Sequence, residues 1–363
     1  MTPRAVFRAD ASLALGSGHI ARCLTLAAEL VSHGWRCSFV CRNHMGNMID
    51  QIKQQGHEVV TIAVTTRHAN SDERAVDWLG GTWQEDAQAT LGALAGEQAD
   101  WIVVDHYALD SRWERAVSPA AKRLLAIDDL ADRSHAAHVL LDQNLGRLRE
   151  HYVSLVDDHC NILAGTGFAL LRPEFAAARD NSLRRRAQAP ARRILVSMGG
   201  VDQANATSIV LETLAKCPLP EDSAITVIMG ACAPWAEAVR AIAKRMPVPT
   251  KVLTAVDDMA RHVTDSDLAI GAAGGSAWER ASLGLPTLLV VLADNQRAGA
   301  AAMSKWGAGR VVGDVADIAI ELPKAIAAFA DVNVLHAMSA AAAALVDGCG
   351  VQRVVAAMEA CRD

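Results

Sequence analysis

The segment RADASLALGSGHIARCL (8–24) gathers residue types that could do chemistry at one place in the chain. Gly16 and Gly18 permit close backbone approach to a ligand, and a helix starting near His19 offers free N–H groups to an anion. The positive end of a helix dipole favours neutral imidazole, which can accept a proton, so a general-base role for His19 is open. An anionic ligand nearby would act in the opposite direction. A helix-capping or merely exposed histidine would fit the same pattern. The glycines do not complete a dinucleotide fingerprint, because position 21 is Ala, and no Gly-x-x-x-x-Gly-Lys-Ser/Thr loop occurs.

A second set lies downstream. SMGGVDQANAT (197–207) places Gly199 and Gly200 before Asp202, Asn205 and Thr207, and GAAGGSAWERASLGLP (271–286) places Gly274 and Gly275 before Ser276 and Glu279. Two such turns could hold a diphosphate through backbone N–H groups, with Glu279, one helical turn on, bonding ribose hydroxyls. In ADNQ (293–296), Asn295 and Gln296, buried or facing a cleft, would direct hydrogen bonds to a sugar or phosphate. Asp105 and Tyr107 end the run WIVVDHY (101–107), where Asp105 either lines the ligand side or caps the next turn. Simpler readings stand beside these: glycines that only turn the chain, a Glu279–Arg280 pair, and Arg280 in solvent or a salt bridge. Asp128 and Asp129 are not taken as a metal motif, since adjacent side chains in a strand point to opposite faces. No metal or cofactor is expected.

These residues need strand ends to position them. AVFRA (5–9), RCSFVC (36–41), EVVTIAV (58–64), WIVVD (101–105), RLLAID (123–128) and HVLLD (138–142) read as buried parallel strands separated by helices. The alternation restarts with RILVSM (193–198), AITVIM (224–229), KVL (251–253), DLAIG (267–271) and TLLVV (287–291). The spacing predicts an α/β fold of two Rossmann-like domains with parallel sheets facing across a cleft. Residues 1–178 form the first domain, 179–192 an arginine-rich solvated linker and 193–345 the second. Residues 346–363 form a helix that could pack back on the first domain.

Composition narrows the function. Thirty-five Lys and Arg against 41 Asp and Glu leave a net charge of −6 over 363 residues, which disfavours nucleic acid as a partner. Eight cysteines include no Cys-x-x-Cys pair, so reduced thiols are expected. Leu283–Ala293, the longest strongly apolar stretch, is far short of the ~20 residues a membrane helix needs, so no membrane insertion is expected. With no signal peptide visible, a cytoplasmic location follows. A monomer is compatible with these features.

Together with DHYALD (105–110), IDDLADRSH (127–135), LLDQN (140–144) and LLRPEF (170–175), the glycine segments resemble a known family. It is that of the UDP-2,4-diacetamido-2,4,6-trideoxy-β-L-altropyranose hydrolases of pseudaminic acid biosynthesis, with their spore-coat polysaccharide relatives. More distantly the chain is similar to MurG-type transferases of GT-B architecture. The resemblance implies metal-independent cleavage of the sugar–diphosphate bond, water attacking the anomeric carbon with inversion. It places His19 on the catalytic base, Glu279 at the ribose, Gly275 and Ser276 by the diphosphate, and Asn295 near sugar or phosphates. The segment departs from the family pattern at Val201, Gln203 and Ala277. A GT-B glycosyltransferase and a non-catalytic nucleotide-sugar binder are the alternatives.

Overall fold

The computed structural model describes residues 2–65, 78–187, 192–231, 233–328 and 331–361. The chain forms two compact units, Met1–Leu170 with Gly350–Asp363, and Leu171–Cys349. Each is built on one parallel sheet.

In the first unit the strands are β1 (Arg4–Ala9), β2 (Arg36–Arg42), β3 (Glu58–Ile62), β4 (Ala99–Asp105), β5 (Ala121–Ile127), β6 (Val139–Asp142) and β7 (Asn161–Ala164), in the order β3-β2-β1-β4-β5-β6-β7. The order reverses at β1 and β4, the switch point where ligands gather in open α/β sheets. Alternation along the central strands explains why both faces are apolar. Phe7, Trp101 and Val103 pack under the helices Gly18–Ser32 and Gly350–Ala360, while Val6, Ile102 and Val104 face Trp113 and Ala87. Phe7 and Phe39 stack at 4.9 Å across β1 and β2.

The second unit has β8 (Arg193–Ser197), β9 (Ala224–Met229), β10 (Thr250–Thr254), β11 (Leu268–Ala272), β12 (Thr287–Val291) and β13 (Arg310–Asp314), in the order β10-β9-β8-β11-β12-β13. Its switch point lies at β8 and β11, directly before Gly199 and Gly274. All the strands expected from the sequence are present. β7 and β13 are additions: both are short edge strands, and β13 carries Gly313 at φ 126°.

The expected linker is different in kind. Pro173–Arg186 is helix within the second unit, and residues 188–191 lie outside the described part. Its arginines are used as donors. Arg179 bonds the carbonyls of Ser282, Ala343 and Val346, Arg186 those of Val263, Ser266 and Leu283, and Arg185 pairs with Asp267. Those carbonyls lie at the C-termini of the helices Met259–Asp265, Ser276–Ser282 and Val332–Leu345, where intrahelical partners run out and a cation meets the negative dipole end.

Val332–Ala360 contains an 18-residue window of mean hydropathy 1.5, apolar enough by composition to cross a membrane, so Leu283–Ala293 is not the chain's strongest apolar candidate. The segment is broken at residues 346–349 into the helices Val332–Leu345 and Gly350–Ala360, and each buries an apolar face in its own unit. The seven described cysteines are free thiols.

If the arginines hold helix ends, Arg186→Ala should cost about 2–4 kcal/mol of unfolding free energy in urea titrations, because it removes three buried hydrogen bonds to helix-end carbonyls. Exposed Arg184→Ala should stay within about 0.5 kcal/mol. Equal, small effects would restore the linker reading.

Candidate active site

The loop after β1 is shaped by Gly16, at φ 77°, and by a Ser12–Gly16 bridge. It leads into Gly18–Ser32, whose N-cap Ser17 makes no side-chain capping bond, so the first turn keeps its N–H groups clear of a side-chain cap. His19 is the second residue of that helix and is buried. Its Nδ1 lies 3.1 Å from the Asp105 carbonyl oxygen and 3.3 Å from Asp105 Oδ1. Both partners are acceptors, so Nδ1 carries the proton and donates. Nε2 therefore holds the free lone pair, and it has no hydrogen-bond partner. The ring edge rests on Tyr107, centroids 4.5 Å apart. A capping or exposed role for His19 is thereby excluded.

Asp105, at the end of β4, is held in turn. Arg22, one turn along the helix from His19, binds both its oxygens at 2.6 and 2.7 Å, and forks onto Asp129 at 2.9 Å on each oxygen. Asp129 also accepts from Tyr107 Oη at 3.0 Å and Asn144 Nδ2 at 2.8 Å. Burial alone would raise the Asp105 carboxyl, but Arg22, joined by His19, outweighs that and holds it below the usual carboxylate range. The same balance, again with Arg22 the largest attraction, lowers Asp129. Burial, reinforced by Asp129, raises the Tyr107 phenol, which stays neutral. Asp105 thus stands behind His19, its carboxylate taken up by His19 and Arg22 instead of capping a turn. Sequence reasoning missed Arg22, Asp129 and Asn144. The readable signal was an arginine three residues after the histidine.

A second buried charge network adjoins. Asp86 binds Arg8 through two bonds, Arg42 through two more, and Trp113 Nε1. Asp10, immediately after β1, accepts from the Arg42 amide at 2.7 Å, and its Oδ2 faces His106 Nε2 at 3.6 Å and His44 Nε2 at 3.8 Å. His106 Nδ1 accepts from the Ala108 amide, which fixes a neutral ring. Burial pushes His106 down to about 4, against the attraction of Asp10.

In the second unit, Gly199 turns at φ 82°, and Gly200 runs so close to Gly230 that a Cβ there would meet the Gly200 carbonyl oxygen. Asp202 accepts from the amides of Ala206 and Thr207 at 2.8 and 2.9 Å. That helix start is therefore occupied by the protein's own carboxylate and is not open to a phosphate. The turn at Gly274 and Gly275 has no such occupant described. Gln296 packs on Gly274, its Oε1 accepting from the Leu292 amide. Glu279 is half-buried, 4.0 Å from Arg172, and burial raises its carboxyl. Asn295 is exposed and not buried, because it lies in a surface turn, Asp294–Gln296. Among the described residues Arg280 has no salt bridge, and it is not in solvent: it is fully buried, donating to the Ala272 carbonyl and Ser276 Oγ.

Residues 193–346 match the glycosyltransferase family 28 C-terminal domain. The chain is 24% identical over 215 residues to the UDP-2,4-diacetamido-2,4,6-trideoxy-beta-L-altropyranose hydrolase of Campylobacter jejuni, covering 59% of this chain and 66% of that one. It is 30% identical over 158 residues to the spore coat polysaccharide biosynthesis protein SpsG of Bacillus subtilis, covering 44% and 45%. The matches thus span about half to two thirds of those relatives' lengths. In structure it is similar to MurG from Acinetobacter baumannii, TM-score 0.70 over 99% of each chain at 17% identity. The fold is GT-B.

Because His106 is neutral when folded and takes a proton near 6.5 when unfolded, the unfolded state binds more protons as pH falls from about 6.5 to about 4. Stability should therefore fall across that window. His106→Gln should make the slope shallower by up to about 1.4 kcal/mol per pH unit in pH-dependent denaturation. An unchanged slope would contradict a neutral, buried His106.

Proposed function

We propose that this protein is a nucleotide-sugar hydrolase that cleaves the anomeric C–O bond of UDP-2,4-diacetamido-2,4,6-trideoxy-β-L-altropyranose, water replacing UDP with inversion. The free sugar would feed pseudaminic acid biosynthesis. The observation that carries the reading is His19: a buried imidazole with its Nδ1 proton committed to Asp105 and its Nε2 lone pair unused. A pure binder has no need of that arrangement. The name of the Campylobacter relative supplies the substrate class.

In the proposed reaction, Nε2 takes a proton from water as its oxygen attacks the anomeric carbon. The C–O bond breaks with its electron pair leaving on the β-phosphate oxygen of UDP. UDP is a good leaving group and needs no protonation. The imidazolium formed is stabilised by Asp105, which Arg22 keeps ionised and in place. The second unit holds the nucleotide: Glu279 at the ribose, Gly274, Gly275 and Ser276 at the diphosphate, with Gly199, Gly200 and Gln296 beside them. Gly16 and Gly18 bring backbone close to the sugar end, Tyr107 flanks His19, and Asn295 contributes from the surface turn.

The family 28 domain favours a second reading, transfer of the sugar to an acceptor hydroxyl activated by the same histidine. NMR of the protein with a panel of UDP-sugars, without acceptor and with EDTA, separates the two. Hydrolysis yields UDP and free sugar; release only on adding an acceptor indicates transfer. His19→Ala should lower kcat by about 10²–10⁴-fold with UDP affinity retained. Asp105→Asn should lower kcat less, because it removes the charge that stabilises the imidazolium but leaves the base itself. Full turnover by His19→Ala would overturn the proposal.

A further inference from the structure

Arg280 is a buried charge that the reaction above does not use. The other two fully buried arginines, Arg8 and Arg42, share the Asp86 carboxylate, and buried Arg186 spends its donors on three carbonyls at helix ends. Arg280 enters no ion pair among the described residues. Its Nη2 donates to the Ala272 carbonyl at 2.6 Å, its Nη1 to Ser276 Oγ at 3.1 Å, and its Nε is buried without a partner. Burial pushes it down to about 10, with Glu279 the one attraction opposing that, so it remains a cation at neutral pH. An incompletely compensated buried charge is costly unless something else meets it.

Its position is specific. The guanidinium lies under the end of β11, at the switch point of the second sheet, in space that a side chain at position 271 would fill. A Cβ on Gly271 would fall 2.8 Å from Nη1 and 2.9 Å from Cζ. Ser276 Oγ accepts from Arg280, which leaves the serine O–H as a donor that must turn away from the cation. Ser276 is partly exposed, so that donor is available to a ligand.

We propose that Arg280 is a positioning and charge-compensating residue for a nucleoside diphosphate: it fixes Ser276 as a hydrogen-bond donor and sets a positive charge behind the Gly274–Ser276 turn. The proposal rests on the reading that the second unit holds UDP. In a chain of net charge −6, attraction for a diphosphate has to be local, and this cation supplies it.

The test compares UDP with uridine, which shares the base and ribose but lacks the phosphates. UDP affinity by calorimetry should fall about 10- to 100-fold in Arg280→Met, while uridine affinity by NMR titration should change less than about threefold. Ser276→Ala should show the same selectivity with a smaller loss. The double variant should bind UDP little worse than Arg280→Met, since the two residues act in series. Equal losses for both ligands, or unchanged UDP affinity, would reduce Arg280 to a structural residue and overturn the proposal. If Arg280→Met fails to fold, Ser276→Ala decides by the same comparison. Wild-type protein that binds uridine no worse than UDP would overturn the underlying reading, and the proposal with it.

Discussion

The fork of Arg22 onto Asp105 and Asp129 is the constraint on which the first unit's chemistry depends. Two carboxylates from neighbouring strand ends would repel in a dry interior. One guanidinium with five donors satisfies both and fixes the rotamer of each. With Asp105 fixed, the proton of His19 is confined to Nδ1, and the remaining lone pair acquires a definite direction. Asp129, fixed by the same group, orients Tyr107 against the imidazole. A lysine at position 22 could neutralise the charge but not reproduce the planar fork.

Buried charge is handled in three ways in this chain, and the contrast is informative. In the first unit, arginines meet carboxylates directly, in closed sets around Asp86 and Asp105. In the second, Arg179 and Arg186 meet helix C-termini, where aligned peptide dipoles stand in for a carboxylate. Arg280 has neither, and it lies beside the turn to which the nucleotide phosphates are assigned. The net charge of −6 therefore says little about the anions this protein can hold. On the proposed reading, a cation placed under a backbone turn matters more than the overall field.

Much of the architecture was legible because strand signals are local. Runs such as WIVVD and TLLVV are too short and too apolar for anything but buried parallel strands, and their spacing fixed the number of sheets. The edge strands β3 and β10 were read, but β7 and β13 escaped because NILA is only four residues long and Gly313 interrupts RVVGD. The arginines of 179–186 read as solvated because composition does not reveal which carbonyls lie within reach. His19 was legible from its glycine loop, whereas its dependence on Arg22, Asp105 and Asp129 is tertiary: the partners are 83 and 107 residues from Arg22 in sequence. Asp202 shows the converse. Its sequence setting suggested a ligand turn, but the carboxylate caps its own helix.

The central claim is that His19 delivers water to the anomeric carbon. Isotope tracing tests it most directly: turnover of the UDP-diacetamido sugar in H₂¹⁸O without acceptor, with both products read by mass spectrometry. The account predicts one ¹⁸O in the released sugar, before exchange of its anomeric hydroxyl, and none in UDP. Label in the nucleotide phosphate would mean that the P–O bond breaks instead. No release at all without an acceptor would mean that water is not the nucleophile.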